Sequence, residues 1–453
     1  MFFCAKLAHA PRNSAVAGAW VRRSCAPRAV KVGAAAYHAP PMTTATLDAL
    51  PAANPVPLKQ DAAVIGLVGL AHGTSHFSHL LLAPLFPIFI RDFGLSYSDV
   101  GLLMTLFFAI SGTGQALSGF VVDRLGARPV LFAAIGCFLL ASLVASQATG
   151  YSSLLLVAAI AGLGNAPFHP ADFTILNQRV SAPRLGHAFS AHGLTGNLGW
   201  ALAPVFLVGI TALSDWRTAY LAAAAMYVVV LAVLFWQRDR LRTEVVVRDA
   251  DAPKTSELAY LKLPVIWWCF AFFLLSTMTL AVVQSFAPSI LKNLYGVSME
   301  VATLTISAYM LCGALGMLVG GFVAAYGPQH RISSDRVVAY AMTAGAVLLL
   351  VCATGWLGTG GTLVALAATG FAVGIGGPSR DMMIKKATPK GATGRVYGTV
   401  YSGLDVGFAL SPIVFGLFMD RGWYALTLAG AALVLLVSVY AAVGVGRRMP
   451  SAT

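Results

Sequence analysis

The residues with chemistry to offer come in three groups. His72, His76 and His79, in AHGTSHFSHLLLAPLFP from Ala71 to Pro87, stand at i, i+4 and i+7 and so share one face of a helix. In GLGNAPFHPADF, from Gly162 to Phe173, His169 lies between Pro167 and Pro170, and Asp172 follows. The two prolines interrupt the backbone ladder and leave carbonyls that need partners from elsewhere. The third group is nearer the C-terminus, where Arg380 and Asp381 are adjacent and Asp405 sits within an apolar stretch.

Each group has a functional reading and a structural one. The histidine face can handle substrate or protons, or it can simply hydrogen-bond neighbouring helices. Histidines at i and i+4 are also competent to bind zinc, but no Asp, Glu or Cys is grouped with them in sequence, so no metal is assigned. Arg380 can receive an anionic group, or it can neutralise Asp381 or meet Asp172 across the bundle. Asp405 is the leading proton-relay candidate, since a carboxylate deep in a membrane is costly unless it is paired or titrating. His76, Asp172 and Asp381 are further proton-coupling candidates. Candidate substrate contacts are His72, His76, His79, His169, Asn197, Gln284, Arg380 and Tyr401; Tyr397 could instead belong to an interfacial aromatic belt.

These residues need a scaffold, and composition says what kind. Of 453 residues, 58% are apolar and only 10% are charged, with a mean hydropathy of +0.77. An ordinary soluble domain carries about 25% charge. From Ala63 onward, apolar windows long enough to cross the hydrocarbon layer recur near 63–90, 99–121, 129–148, 152–176, 186–210, 216–236, 263–291, 299–325, 337–354, 361–384, 396–418 and 424–445. The fold class is therefore an all-α membrane protein of twelve transmembrane helices. The six cysteines show no CxxC spacing and read as small hydrophobes.

The formal charge of +13 could suggest nucleic acid, but six of the basic residues lie in the acid-free segment 1–41 and the others fall in short loops. With both termini cytoplasmic, the inner loops carry Arg124, Arg128, Arg179, Arg184, Lys385, Lys386 and Arg395 among others. The opposite loops carry only Arg91, Arg217, Lys292 and Arg421. That bias sets N-in, C-in orientation in an inner membrane. Residues 1–60 read as a disordered or mis-called extension, 61–236 as one six-helix bundle, 237–262 as a cytoplasmic linker, 263–446 as a second bundle and 447–453 as a tail. A repeat supports the division. PADFTILNQRVSAPRLGHAFSAHGLTGNLGWALAP from Pro170 aligns without a gap on PSRDMMIKKATPKGATGRVYGTVYSGLDVGFALSP from Pro378, so that Gly186 meets Gly394, Asn197 meets Asp405, and Gly199 meets Gly407. Gly193, Gly196 and Gly199, and in the second copy Gly403 and Gly407, suit close approach of helices and read as carriers of motion.

At the end of the second window, GFVVDRLGARP presents Gly119, Asp123, Arg124, Gly126 and Arg128. Asp123 can cap or pair with a neighbouring helix, and the two arginines can hold the turn at anionic headgroups. This segment resembles the GxxxDRxGRR signature loop of the major facilitator superfamily. The resemblance implies two six-helix bundles around a midline path and a gating role for the five residues. In the second half Gly320 or Gly321 fills the glycine position, while Ala324 or Ala325 stands where the acid would be, so the first half should dominate the switch. The histidine start of the first window and the FHP segment further resemble the fosmidomycin-resistance branch of that superfamily, although His76 stands where that branch has an acid. The expectation is a secondary transporter for a small polar or anionic solute, proton-coupled and working by efflux, with carboxylate uptake as the alternative. A membrane-embedded metal enzyme or a non-transporting sensor would be rivals. Expected partners are the solute, protons and membrane lipids, with no cofactor and no nucleic acid, and the chain is expected to act as a monomer.

Overall fold

The computed structural model describes residues 57–245, 257–330 and 332–448. The expectation for 1–60 lies almost wholly outside these residues, as do the middle of the linker and most of the tail. Backbone groups in lipid must be satisfied within the segment, which is why the apolar windows become helices. Among the described residues, twelve are long and apolar enough to cross a membrane: Leu58–Phe93, Asp99–Leu125, Ala127–Ser146, Tyr151–Arg179, Ala182–Leu213, Trp216–Trp236, Pro264–Tyr295, Leu304–Tyr326, Ser334–Thr354, Gly358–Ala387, Thr393–Asp420 and Tyr424–Gly446. They are called spans 1 to 12 below. Their outward faces carry exposed Leu202, Val229, Leu311, Val364 and Leu433, apolar surface that only lipid can cover.

Local sequence sets the ends. Ser96 and Asp99 form a reciprocal capping box where the span 2 helix begins, and Gly126, at φ 84°, turns the chain into span 3. Asp215 caps span 6 by accepting the Thr218 N–H at 2.9 Å, and that backbone bond holds its carboxyl below the usual range.

Two spans are broken, one of them unexpectedly. Span 4 runs as Tyr151–Asn165 and then Phe168–Arg179, interrupted at Pro167 as the proline spacing predicts. Span 1, expected to be continuous, stops at His79 and resumes at Phe86 after a short 3-10 turn, because Pro84 and Pro87 cannot continue the ladder. Hydroxyls from neighbouring helices occupy carbonyls at both breaks: Tyr220 donates to Leu81 O at 2.9 Å, and Ser118 donates to Ala166 O at 3.2 Å.

The packing repeats. Span 1 lies on span 5, span 2 on span 4, span 3 on spans 4 and 6; correspondingly span 7 lies on span 11, span 8 on span 10, span 9 on spans 10 and 12. The halves meet where span 2 lies on span 11 and span 5 on span 8, with span 4 touching span 11 and span 5 touching span 10. The repeated glycines make contacts rather than merely permit motion. A Cβ on Gly199 would lie 2.1 Å from Gly73 O of span 1, and one on Gly407 would lie 2.6 Å from Leu274 O of span 7.

This contact makes a test. Gly199→Ala should cost about 1–3 kcal/mol by overpacking and lower the thermal midpoint of the purified protein. Gly66→Ala, where a Cβ meets nothing within 4 Å, should leave it unchanged. Equal midpoints for the two variants would show that spans 1 and 5 do not depend on this approach.

Candidate functional site

The three histidines of span 1 do share one face, and two more join them from other helices. Ring centroids of His72 and His76 are 4.3 Å apart, and those of His76 and His79 are 4.9 Å apart. His192 of span 5 stacks on His72 at 3.5 Å, and His169, just past the break in span 4, lies 5.3 Å from His72. Asp172 is fully buried behind them; its Oδ2 is 3.1 Å from His72 Nδ1 and 3.2 Å from His192 Nε2. Two sets of potential ligand atoms, His72 with His76 and His169, and His72 with Asp172 and His192, each lie within 4.8 Å of one another.

His79 differs from its neighbours because it is pinned on both sides. Trp200 can only donate, so its Nε1 at 3.3 Å makes His79 Nδ1 an acceptor; Nε2 then carries the proton and donates to Asn165 Oδ1 at 2.9 Å. Asn165 also accepts from Ser75 and donates to Ser111 Oγ at 2.8 Å, which ties spans 1, 2 and 4 together. His79 is thus a structural member of the face. His76 stacks on Trp200 at 4.2 Å, and its Nδ1 has no hydrogen-bond partner.

A second polar run crosses between the halves. His169 Nδ1 donates to Gln115 Oε1 at 2.5 Å, and Gln115 donates its Nε2 to Asp405 Oδ2 at 2.9 Å. The His169 ring also stacks on Tyr401 at 4.3 Å, and Tyr401 donates to Asp381 Oδ1 at 2.7 Å. Arg380 completes the run with Nε 2.9 Å from Asp381 Oδ1, and its guanidinium lies over Phe273 at 4.6 Å. Arg380 therefore neutralises its neighbour; Asp172 is engaged by the histidines instead. Tyr397, a possible interfacial residue by sequence, is fully buried and stacks on Phe173 at 4.4 Å, because the fourth span bends in beneath it.

A cavity of about 160 Å³ lies between the halves. His72, His76, His169 and His192 line it from one side, Arg380 and Tyr401 from the other, and Asn197 and Gln284 also reach it. Asn197 approaches Met317 Sδ of span 8 at 3.7 Å. Asp172, Asp405 and His79 lie outside the lining, and His187 is elsewhere, against Phe322 and Tyr326.

At one end of the bundle the Gly119–Arg128 segment meets span 11. A Cβ on Gly119 would lie 2.4 Å from Gly394 O, so the two backbones touch. Asp123 accepts from Gly394 N at 2.8 Å, Arg395 N at 3.2 Å and Arg395 Nε at 2.9 Å. It thereby caps the start of a helix in the other half and pairs with its first arginine. Arg124 and Arg128 turn to the linker rather than outward: Arg124 lies 2.6 Å from Glu257, and Arg128 lies 3.6 Å from Asp239. At the matching seam Gly186 packs on Ala324 and Ala325, and Gly321, not Gly320, faces across to Ser190. That seam has no carboxylate in the place of Asp123.

Gln115, Asn165, Trp200, His192 and Arg395 are site residues that the sequence reading does not single out for these roles. An amide inside an apolar helix, as in SGTGQALSG and GLGNAPF, is a signal that could have found the first two.

Known proteins match this arrangement. The profile of the family described as Major Facilitator Superfamily matches residues 68–360 and 295–452. Membrane sensor protein UhpC of Escherichia coli (strain K12) is 25% identical over 360 residues, covering 74% of this chain and 80% of that protein. Fosmidomycin resistance protein of the same organism is 25% identical over 280 residues, covering 60% and 67%. The crystal structure of the E. coli fucose:proton symporter FucP superposes with a TM-score of 0.66 at 15% identity, over 85% of this chain and 98% of that one.

The contact at Asp123 carries its own expectation. Asp123→Ala removes charge-assisted hydrogen bonds worth about 1.5–3 kcal/mol, so hydrogen exchange at the Gly394 and Arg395 amides should rise roughly tenfold to hundredfold. Arg124→Ala, which removes an exposed pair, should change it by less than about twofold. Unchanged exchange in Asp123→Ala would mean that backbone packing alone closes this end.

Proposed function

The chain belongs to the Major Facilitator Superfamily, and on that premise we propose that it couples passage of a small polar or anionic organic solute to proton movement. Secondary-active transport of a small solute in a multi-pass membrane protein follows from the family, which is one of transporters and not of enzymes. The finer reading rests on one observation about Asp405.

Five carboxylates are buried or nearly so within the spans, and four have a basic partner or histidines. Asp61 meets Arg184, Asp123 meets Arg395, Asp172 meets His72 and His192, and Asp381 meets Arg380. Asp405 is 4% exposed and holds only the neutral amide of Gln115; no cation approaches it among the described residues. A carboxylate so placed has the strongest reason to take up a proton during a cycle. A proton on Asp405 removes the charge that the Gln115 amide compensates and creates a hydroxyl that can donate. Gln115 also holds His169, so the change reaches the cavity wall.

Arg380 is the one guanidinium or ammonium group in that wall among the described residues; Asp381, in the same wall, pairs with its Nε, and a carboxylate or phosphonate group of a solute would meet the rest of the fork. Tyr401, Asn197 and Gln284 supply neutral hydrogen bonds beside it. The halves, 61–236 and 263–446 joined by a linker at 237–262, would rock about this site, with the Gly119–Arg128 loop as the cytoplasmic gate. The basic loops support cytoplasmic termini in an inner membrane. Similarity to the fosmidomycin resistance protein, with the FHP segment, supports export; uptake of a carboxylate uses the same site in the opposite direction. One chain supplies both cavity and gate, which supports function as a monomer.

Flux of fosmidomycin and simple organic anions into proteoliposomes under an imposed pH gradient tests the reading. Wild-type flux should follow the gradient, and Asp405→Asn should lose at least about tenfold of it while keeping solute exchange without a gradient. Gradient-driven flux unchanged in Asp405→Asn would remove this residue from coupling. Solute binding without flux would favour a sensor.

A further inference from the structure

Asp172 is surrounded in a way that proton coupling does not explain. It is fully buried, one carboxylate oxygen is shared by two imidazoles, and the other, Oδ1, has no hydrogen-bond partner. The two imidazoles, His72 and His192, stack with their planes 21° apart and cannot hydrogen-bond one another in that pose. Both turn a nitrogen to the same oxygen. Buried polar atoms are normally satisfied, and a set left incomplete in this way asks what completes it.

The separations answer in terms of coordination chemistry. Ligand atoms about a tetrahedral ion at 2.0–2.1 Å lie ~3.4 Å apart. Asp172 Oδ2 is already 3.1 Å from His72 Nδ1 and 3.2 Å from His192 Nε2, and all three potential ligand atoms lie within 4.8 Å of one another. They come from three different spans, 1, 4 and 5; span 1 packs closely on span 5, where the Cβ-free Gly196 and Gly199 bring the two together, and it also touches span 4. Two histidines and one carboxylate suit borderline divalent ions such as Zn²⁺, Co²⁺ or Fe²⁺; the set lacks the oxygens that Mg²⁺ and Ca²⁺ need and the thiolates that Cu⁺ prefers.

We propose that His72, Asp172 and His192 bind a divalent transition-metal ion at the wall of the central cavity. Asp172 stands behind the wall and the two histidines line it, so the ion would lie next to the cavity, with water completing its coordination. His76, whose Nδ1 has no partner, belongs to a second close set with His72 and His169 and is not a member of this one. The site requires nothing of Asp405, so it stands or falls apart from the proton reading.

The test uses the full-length, tag-free protein in detergent, titrated with Zn²⁺ by calorimetry and with Co²⁺ by visible absorption. One Zn²⁺ per chain is expected, with the intense Co²⁺ bands of a site of low coordination number rather than the weak bands of the hydrated ion. His72→Ala and Asp172→Asn should each weaken binding at least tenfold, and His192→Gln provides a third, more conservative removal if either variant fails to fold. His187→Ala, outside the cluster, and Asp405→Asn should bind as wild type does. A wild-type chain that melts cooperatively yet binds neither ion would overturn the proposal, as would binding that survives both His192→Gln and Asp172→Asn. Loss of metal binding with proton-driven flux intact, or the reverse, separates this site from the transport reading.

Discussion

A polar group buried in a lipid-bounded bundle cannot turn to water, so most are met from within the protein, and the few left unmet, Asp172 Oδ1 and His76 Nδ1 among them, stand out. The interior is organised by that requirement. The break in span 1 is held by Tyr220, the break in span 4 by Ser118, and His79 by Asn165 and Trp200. The same requirement draws His169, Gln115 and Asp405 into a line across the halves and Tyr401, Asp381 and Arg380 into another beside it. Where the demand is met by neutral groups alone, as at Asp405, the arrangement has a reason to change when a proton arrives.

The two halves repeat their packing but not their chemistry. Spans 2 and 11 form one seam and spans 5 and 8 the other, equivalent by the internal repeat. Asp405 and its mate Asn197 sit at corresponding places, the first against Gln115 and the second against Met317. Asp123 grips Arg395 at the end of the first seam, while the second has Ala324 and Ala325 against Gly186. Both carboxylates therefore fall on one seam.

Much of this was legible in sequence. The spans were visible because lipid demands long apolar helices, and the gapless alignment of the two repeats exposed the equivalence of Asn197 and Asp405. The histidine face followed from i, i+4 and i+7. What could not be read was the partner of each polar residue, since Gln115 meets Asp405 across 290 residues and His72 meets Asp172 across 100. Of the two carboxylates open to Arg380 in sequence, Asp381 and Asp172, only packing shows that Asp381 is the partner. The break in span 1 was marked by Pro84 and Pro87, yet a continuous apolar window hid it.

The central proposal is that Asp405 of span 11, held by Gln115 of span 2, couples its protonation to movement at the seam between those two spans. Spin labels on the two spans near Leu125 and Thr393, read by double electron–electron resonance across a pH series, measure this directly. The account predicts a shift between two distance populations as pH changes in the wild type, and one population independent of pH in Asp405→Asn. The same pH-dependent shift in both proteins, or none in the wild type, would contradict it.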